Sequence, residues 1–190
     1  RRNVFNTALK GLHEFVALVV KNRGGLVKTD NLIDDVTKVL SGANKVDRNS
    51  LTLSLELHDG LESIGNTIDF HPYVRDKALP DYSLKYTANH LVNQLTKYGD
   101  VRELQKVCDD LKNVMSEVEF DLTKIRSLIE IDKRLALLDG DLLGLMDWRH
   151  IRPRTLRDKI LFVLRNNKEP MHFTDIAEEI SKASFDGRTI

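Results

Sequence analysis

The chain has 190 residues, of which 41% are apolar and 6% aromatic, and its 29 basic residues balance its 29 acidic ones. A neutral chain lacks the overall positive charge that attracts a protein to nucleic acid, so such binding must come from local patches. One cysteine, Cys108, excludes an internal disulfide framework and a cysteine-based zinc site. No stretch approaches the roughly twenty apolar residues of a membrane span. We expect a mostly helical intracellular protein without membrane contact.

Apolar positions with helical spacing recur every 72 residues, and a chain break falls at the same phase in each copy. This rhythm predicts three units at 1–78, 79–150 and 151–190, each beginning with a helix, a break and a second helix. The third unit stops at residues 187–189, where its third helix should start, so we expect the chain to be a piece of a longer polypeptide. The first helices share Val16, Val19 and Val20, then Ala88, Leu91 and Val92, then Ile160, Val163 and Leu164; the second helices share Leu32, Val36 and Val39, then Leu104, Cys108 and Leu111, then Ile176, Ile180 and Ala183.

In the first unit, the repeat predicts a third helix from about Arg48 and a hairpin with strands at 61–64 and 67–70, around Gly65-Asn66. The strict alternation of leucines between Leu51 and Leu57 argues for a strand as readily as for a helix. A linker is expected at 76–81.

In the second unit, Asp121 is placed to cap a third helix. A hairpin follows, with strands at 134–138 and 142–146 around Asp139-Gly140, a dipeptide typical of turns in which both central residues have positive φ. Three helices and a hairpin make a winged helix. The predicted fold is therefore mostly α, with tandem winged-helix or helix-turn-helix units and short β-hairpins. A second linker is expected at 148–153.

The segments 155–160 and 170–180, read TLRDKI and PMHFTDIAEEI, resemble the HARE-type helix-turn-helix. This winged-helix variant occurs in the delta subunit of bacterial RNA polymerase, in chromatin and restriction-related proteins, and in some sigma-factor-like bacterial proteins. The resemblance covers about a fifth of the chain. It implies a role in transcription in the bacterial cytoplasm or nucleoid, and residues 185–189 are similar to the family's lead into its recognition helix.

No catalytic, cofactor or metal site is predicted, and no small-molecule substrate. The six histidines lack zinc-ligand spacing, and neither a glycine-rich phosphate loop nor a serine nucleophile elbow is present. His172 is expected to be structural and Cys108 to be a small buried hydrophobe. The pairs Asp34-Asp35 and Asp109-Asp110 are expected on solvated helix faces.

The candidate nucleic-acid residues lie in the third helices, in the basic segment around residues 149–157, and at Arg188 near the end of the third unit. The basic segment is a run of four arginines that begins at Arg149, and arginine suits bidentate phosphate contact. Thr155 is placed to cap the helix that follows. A solvated linker and an ordinary polar helix face explain the same residues. The candidates are Arg48, Asn49, Ser50, Thr123, Lys124, Arg126, Arg152, Arg154, Arg157 and Arg188.

The charge distribution leaves two functions open. Residues 81–150 carry 10 basic and 13 acidic residues, whereas residues 151–190 carry 8 and 6. We expect a transcription-associated protein that binds duplex DNA, RNA polymerase or both. The alternative is a protein–protein interaction scaffold that uses winged helices without contacting DNA.

Overall fold

The computed structural model describes residues 10–40, 48–114, 121–167 and 169–183. These residues form eight helices and six short strands, so the fold is mostly helical, with two small antiparallel three-stranded sheets. Among the helices described, none is both long and apolar enough to cross a lipid bilayer.

The first unit contains three helices and one sheet, in which the third strand lies between the other two. The predicted helix from Arg48 is confirmed. Burial along it follows a helical period, because Leu51, Ser54 and Leu55 are buried while Leu53 is exposed. The elements are α1 (Lys10–Asn22), β1 (Leu26–Lys28), α2 (Thr29–Leu40), α3 (Arg48–Leu57), β2 (Leu61–Ile64) and β3 (Tyr73–Asp76).

The predicted hairpin of this unit is half wrong. Its first strand is β2 as expected, but its partner is 73–76 and not 67–70, with Leu61 opposite Asp76 and Ile64 opposite Tyr73. The central strand must be buried, and Tyr73 and Val74 supply the aromatic and β-branched side chains that suit it. Residues 65–72 therefore form a long loop, and Gly65-Asn66 is not a tight turn.

The second unit repeats the same element order and the same strand order. Asp121 caps α6 as predicted, since its carboxylate accepts a hydrogen bond from Lys124 N at 2.7 Å. The hairpin is also confirmed, but its positive-φ residues are Gly140 and Asp141, one position later than expected. The elements are α4 (Asp81–Tyr98), β4 (Arg102–Glu103), α5 (Leu104–Val114), α6 (Leu122–Ile131), β5 (Leu135–Leu138) and β6 (Leu142–Leu145).

The first two units share one element order, but their equivalent positions lie 74 or 75 residues apart and not 72. Gly24 and Gly99 each follow the first helix of their unit with φ near +80°, and they are 75 residues apart. Buried Leu51 and Ile125 each lie at the fourth position of the third helix, 74 residues apart. Residues three positions apart lie on the same face of a helix. An alignment that is wrong by three residues therefore still pairs apolar positions with apolar positions.

The last described part contains α7 (Leu156–Asn166) and α8 (Phe173–Lys182), which pack against each other. Only Val163 and Ile180 are buried apolar residues in these two helices. The segment before α7 lies against the second unit, because the side chain of Ile151 fills the space that a side chain at Gly144 would need. The predicted linker is thus packed on the second unit.

The two units share apolar packing. Leu26, Phe70 and Tyr73 of the first unit belong to the core that also contains Leu84 of α4 and Ile125 of α6. The loop after β2 reaches the end of α6, where His71 N donates to Ile131 O at 2.8 Å. The shared core therefore joins the two units, while a separate buried cluster that includes Val16, Leu32 and Leu51 lies within the first unit.

Candidate nucleic-acid interface

The third helix of the second unit, α6, is covered by the first unit. A Cβ placed on Gly24 would lie 2.9 Å from Lys124 Cα, so the loop after α1 touches the helix backbone. Ser127 Oγ donates a hydrogen bond to the carbonyl oxygen of Arg23 at 2.7 Å. This side of α6 consequently has no room for another molecule.

Charged side chains surround that contact. Arg23 lies 2.7 Å from the carboxylate of Asp35 and 3.6 Å from that of Glu130, and Asn31 donates to Glu130 at 2.8 Å. Asp34 is exposed, as expected for a solvated helix face, whereas Asp35 is half-buried in this contact.

Asp109-Asp110 behaves in the same way. Asp110 forms an ion pair with Arg102 at 2.8 Å, whereas Asp109 is exposed. Asp110 follows Asp35 by 75 residues, so an acidic residue of the second helix binds a nearby arginine in both units.

The candidate residues on α6 have restricted surroundings. Thr123 is exposed, and Lys124 is half-buried beside Gly24. Arg126 lies 2.5 Å from the carboxylate of Asp141 in the hairpin, and this hydrogen bond raises the pKa of Arg126. The three are not gathered on one open basic surface.

The equivalent helix of the first unit, α3, has an exposed face. Asn49 and Thr52 are exposed, Leu53 is 39% exposed, and Ser50 is half-buried. Arg48 begins the helix, but its side chain lies outside the described residues.

The arginines around the start of α7 are exposed at Arg149 and Arg152, which precede the helix, and at Arg157 in its first turn. Arg154 forms an ion pair with Asp147 at 2.9 Å, and both side chains are largely exposed. Arg188 lies outside the described residues.

Thr155 caps α7 as predicted. It forms a capping box in which its hydroxyl accepts from Asp158 N at 3.1 Å, while Asp158 accepts from Thr155 N at 3.2 Å. These hydrogen bonds with Thr155 lower the pKa of the Asp158 carboxyl.

A cleft lies between the second unit and α7. One cavity of about 260 Å³ is lined by Arg149, Arg157 and Arg165, together with Asp158. A second cavity of about 570 Å³ also contains Arg165, and His150 and Phe162 line both. Sequence reasoning missed Arg165, although its place eight residues after Arg157 puts both on one face of a helix.

Acidic and aromatic residues surround the larger cavity of this cleft. Asp100 and Asp139 line the larger cavity. His150 Nε2 lies 3.5 Å from Asp100 Oδ1, and the His150 ring stacks on Trp148 with centroids 5.3 Å apart. We call the smaller cavity with its three arginines the basic end of the cleft, the larger cavity with its two aspartates the acidic end, and the residues Phe162 and His150 that line both the aromatic wall.

The remaining expectations concern Cys108 and His172. Cys108 is 2% exposed, which confirms it as a core residue, and burial raises the pKa of its thiol to about 11. His172 lies at the N-terminus of α8 as predicted but is exposed, with Nδ1 2.8 Å from Thr174 Oγ1. Within the described ranges, no three His, Cys, Asp or Glu side chains are grouped to hold a metal ion.

No family model, curated protein or solved structure matches this chain.

Proposed function

We propose that the chain is a transcription-associated protein in which two winged helices and a helix-turn-helix bind duplex DNA. The shared order of helix, strand, two helices and two strands, with the third strand central, supports two winged helices. The resemblance of residues 155–160 and 170–180 to HARE-type domains supports the association with transcription.

The observation that carries DNA binding is the set of exposed arginines around the start of α7. Within the part of the chain described, the side chains of Arg152 and Arg157 take part in no ion pair. Arg154 is held only by an exposed pair, which contributes little to stability and exchanges readily for a phosphate. Guanidinium groups bind phosphate in a bidentate manner, so this segment suits a DNA backbone.

Base contact is assigned to α3 and not to α6. The third helix of a winged helix enters the major groove. In this chain α6 is covered by the first unit, whereas α3 exposes Asn49 and Thr52. Asn pairs with the N6 and N7 atoms of adenine, so Asn49 is the proposed base reader.

Fluorescence anisotropy of labelled duplex DNA, titrated with the 190-residue chain at several salt concentrations, tests the proposal. Binding is expected to be weak, because the net charge is zero. Changing Arg152 and Arg157 to Ala should weaken binding to all sequences alike. It should also lower the slope of log affinity against log salt by about 1.8, since each phosphate contributes about 0.9.

Two single variants separate the helices. Asn49→Ala should cost about 1–3 kcal/mol on the preferred sequence alone. The matched control is Arg126→Ala on α6, whose guanidinium is already bound to Asp141, and it should leave binding unchanged. An equal loss in Arg126→Ala and Asn49→Ala would contradict the assignment to α3.

Binding to protein instead of DNA is supported by the apolar surface of α7 and α8. Leu156 is 61% exposed and Phe173 is 73% exposed. Exposed apolar side chains are typical of protein contacts. A complex with purified bacterial RNA polymerase that is lost in Phe173→Asp, without any DNA binding at low salt, would favour this function.

A further inference from the structure

We propose that the cleft between the second unit and α7 binds a nucleoside phosphate, with the phosphate at its basic end and the base against its aromatic wall. This site shares Arg157 with the duplex-binding surface proposed above, but Arg165 and the two aspartates of the larger cavity do not belong to that surface, so the two proposals can be tested separately. No glycine-rich phosphate loop is required, because arginine side chains replace the backbone donors of such a loop.

The basic end provides the phosphate site. Arg149, Arg157 and Arg165 converge on the smaller cavity from the preceding segment and from two turns of α7. Asp158 is the carboxylate among the residues that line the smaller cavity, and it accepts a hydrogen bond from Thr155 N. Three guanidinium groups against one carboxylate leave a positive charge where a phosphate would lie.

The wall of the cleft suits a planar base. The aromatic residues Phe162 and His150 line both cavities, and the ring of His150 is stacked on Trp148 at an interplanar angle of 24°. Stacking of bases on aromatic side chains is a common and sequence-tolerant source of affinity. The larger cavity, at about 570 Å³, lies within the range of roughly 300–1,000 Å³ that is usual for sites of this ligand size.

The acidic end selects the base. Carboxylates accept hydrogen bonds and donate none, so Asp100 and Asp139 favour groups that carry N–H or O–H. Guanine offers neighbouring N–H donors on one edge, which match the two oxygens of a carboxylate, and the ribose offers hydroxyls. Guanosine 5′-monophosphate is therefore the probe of choice.

The experiment is equilibrium dialysis of guanosine 5′-monophosphate with the whole chain, accompanied by the fluorescence of Trp148, which is the single tryptophan. We expect retention of the nucleotide together with a change in Trp148 fluorescence. Arg165→Ala should weaken binding about tenfold, which corresponds to about 1.4 kcal/mol, and Asp139→Asn should weaken it as well. The matched control is Arg152→Ala, an exposed arginine of the same segment that does not line the cleft.

The outcomes separate the possibilities. Absence of retention overturns the proposal, and so does retention that Arg165→Ala and Asp139→Asn leave unchanged while circular dichroism shows them folded. Displacement by inorganic phosphate at equal concentration would mean a phosphate-only site and would also overturn it. If a 5′-phosphorylated single-stranded oligonucleotide competes with guanosine 5′-monophosphate, the natural ligand is the 5′ end of a strand. If it does not compete, the natural ligand is a free nucleotide. Arg152→Ala tests only the proposed function, because a loss of duplex binding in this variant leaves the nucleotide site intact.

Discussion

The packing of the first unit on α6 is tested by replacing Gly24 with Ala. Two separate costs follow from the structure. Gly24 has a φ of +77°, a conformation that costs an L-residue about 1–2 kcal/mol. Its new Cβ would also lie 2.9 Å from Lys124 Cα and 3.0 Å from Lys124 N, and the backbone of a helix yields poorly. Overpacking of this kind costs about 1–3 kcal/mol.

Gly99→Ala is the matched control, because Gly99 is the positive-φ glycine that follows α4. Its φ is +81°, but a Cβ there would meet no atom within 4 Å. Only the conformational cost applies to this variant. Gly24→Ala should therefore lower the free energy of unfolding by about 1–3 kcal/mol more than Gly99→Ala does.

Urea unfolding, followed by far-ultraviolet circular dichroism on both variants and the parent chain, measures this difference. Equal losses in the two variants would refute the reasoning. They would mean that the loop after α1 does not touch α6 in solution and that α6 is open to a ligand.

The remaining predictions concern acid stability, the buried thiol and a helix cap. Burial lowers the pKa of His58 and of His71 below 6.5, so the unfolded chain binds more protons between the folded and unfolded pKa values. The free energy of unfolding should fall as the pH drops below about 6.5, and His58→Gln with His71→Gln should flatten that dependence; a slope unchanged in the double variant would argue against these groups. Cys108 should react slowly with a thiol reagent in native buffer and rapidly in urea, and Cys108→Ala should cost on the order of 1 kcal/mol; rapid native labelling would contradict its burial. Thr155→Ala removes the capping box with Asp158 and should cost about 1 kcal/mol in the stability of α7, measured by amide hydrogen exchange; unchanged protection of the first turn would show that the cap is not formed.

Local signals in the sequence identified most of the elements. Asp121 and Thr155 were recognisable as caps because capping depends on neighbouring residues. The leucines between Leu51 and Leu57 fit the period of a strand as well as that of a helix. The burial that distinguishes the two comes from packing with the rest of the unit. The partner of β2 was misplaced for the same reason, since Tyr73 and Val74 are selected by a strand, β1, that is distant in sequence.

The candidate site was less accessible from the sequence. The arginines near 149–157 stand out as a run, but Arg165 joins them only when α7 folds against the second unit. The covering of α6 was not predictable from its own residues, because Gly24 and Arg23 lie about 100 positions away. Polar residues such as Thr123 and Lys124 look the same on an open and on an occupied helix face.

The shared core also sets an order for biosynthesis. Leu26, Phe70 and Tyr73 leave the ribosome before the side chains of α4 and α6 that bury them. With translation at about 5–20 residues per second, the residues up to β6 follow β3 after roughly 4–14 s. During that interval the nascent first unit keeps an uncovered apolar surface, which gives chaperones that bind such surfaces a defined time to act.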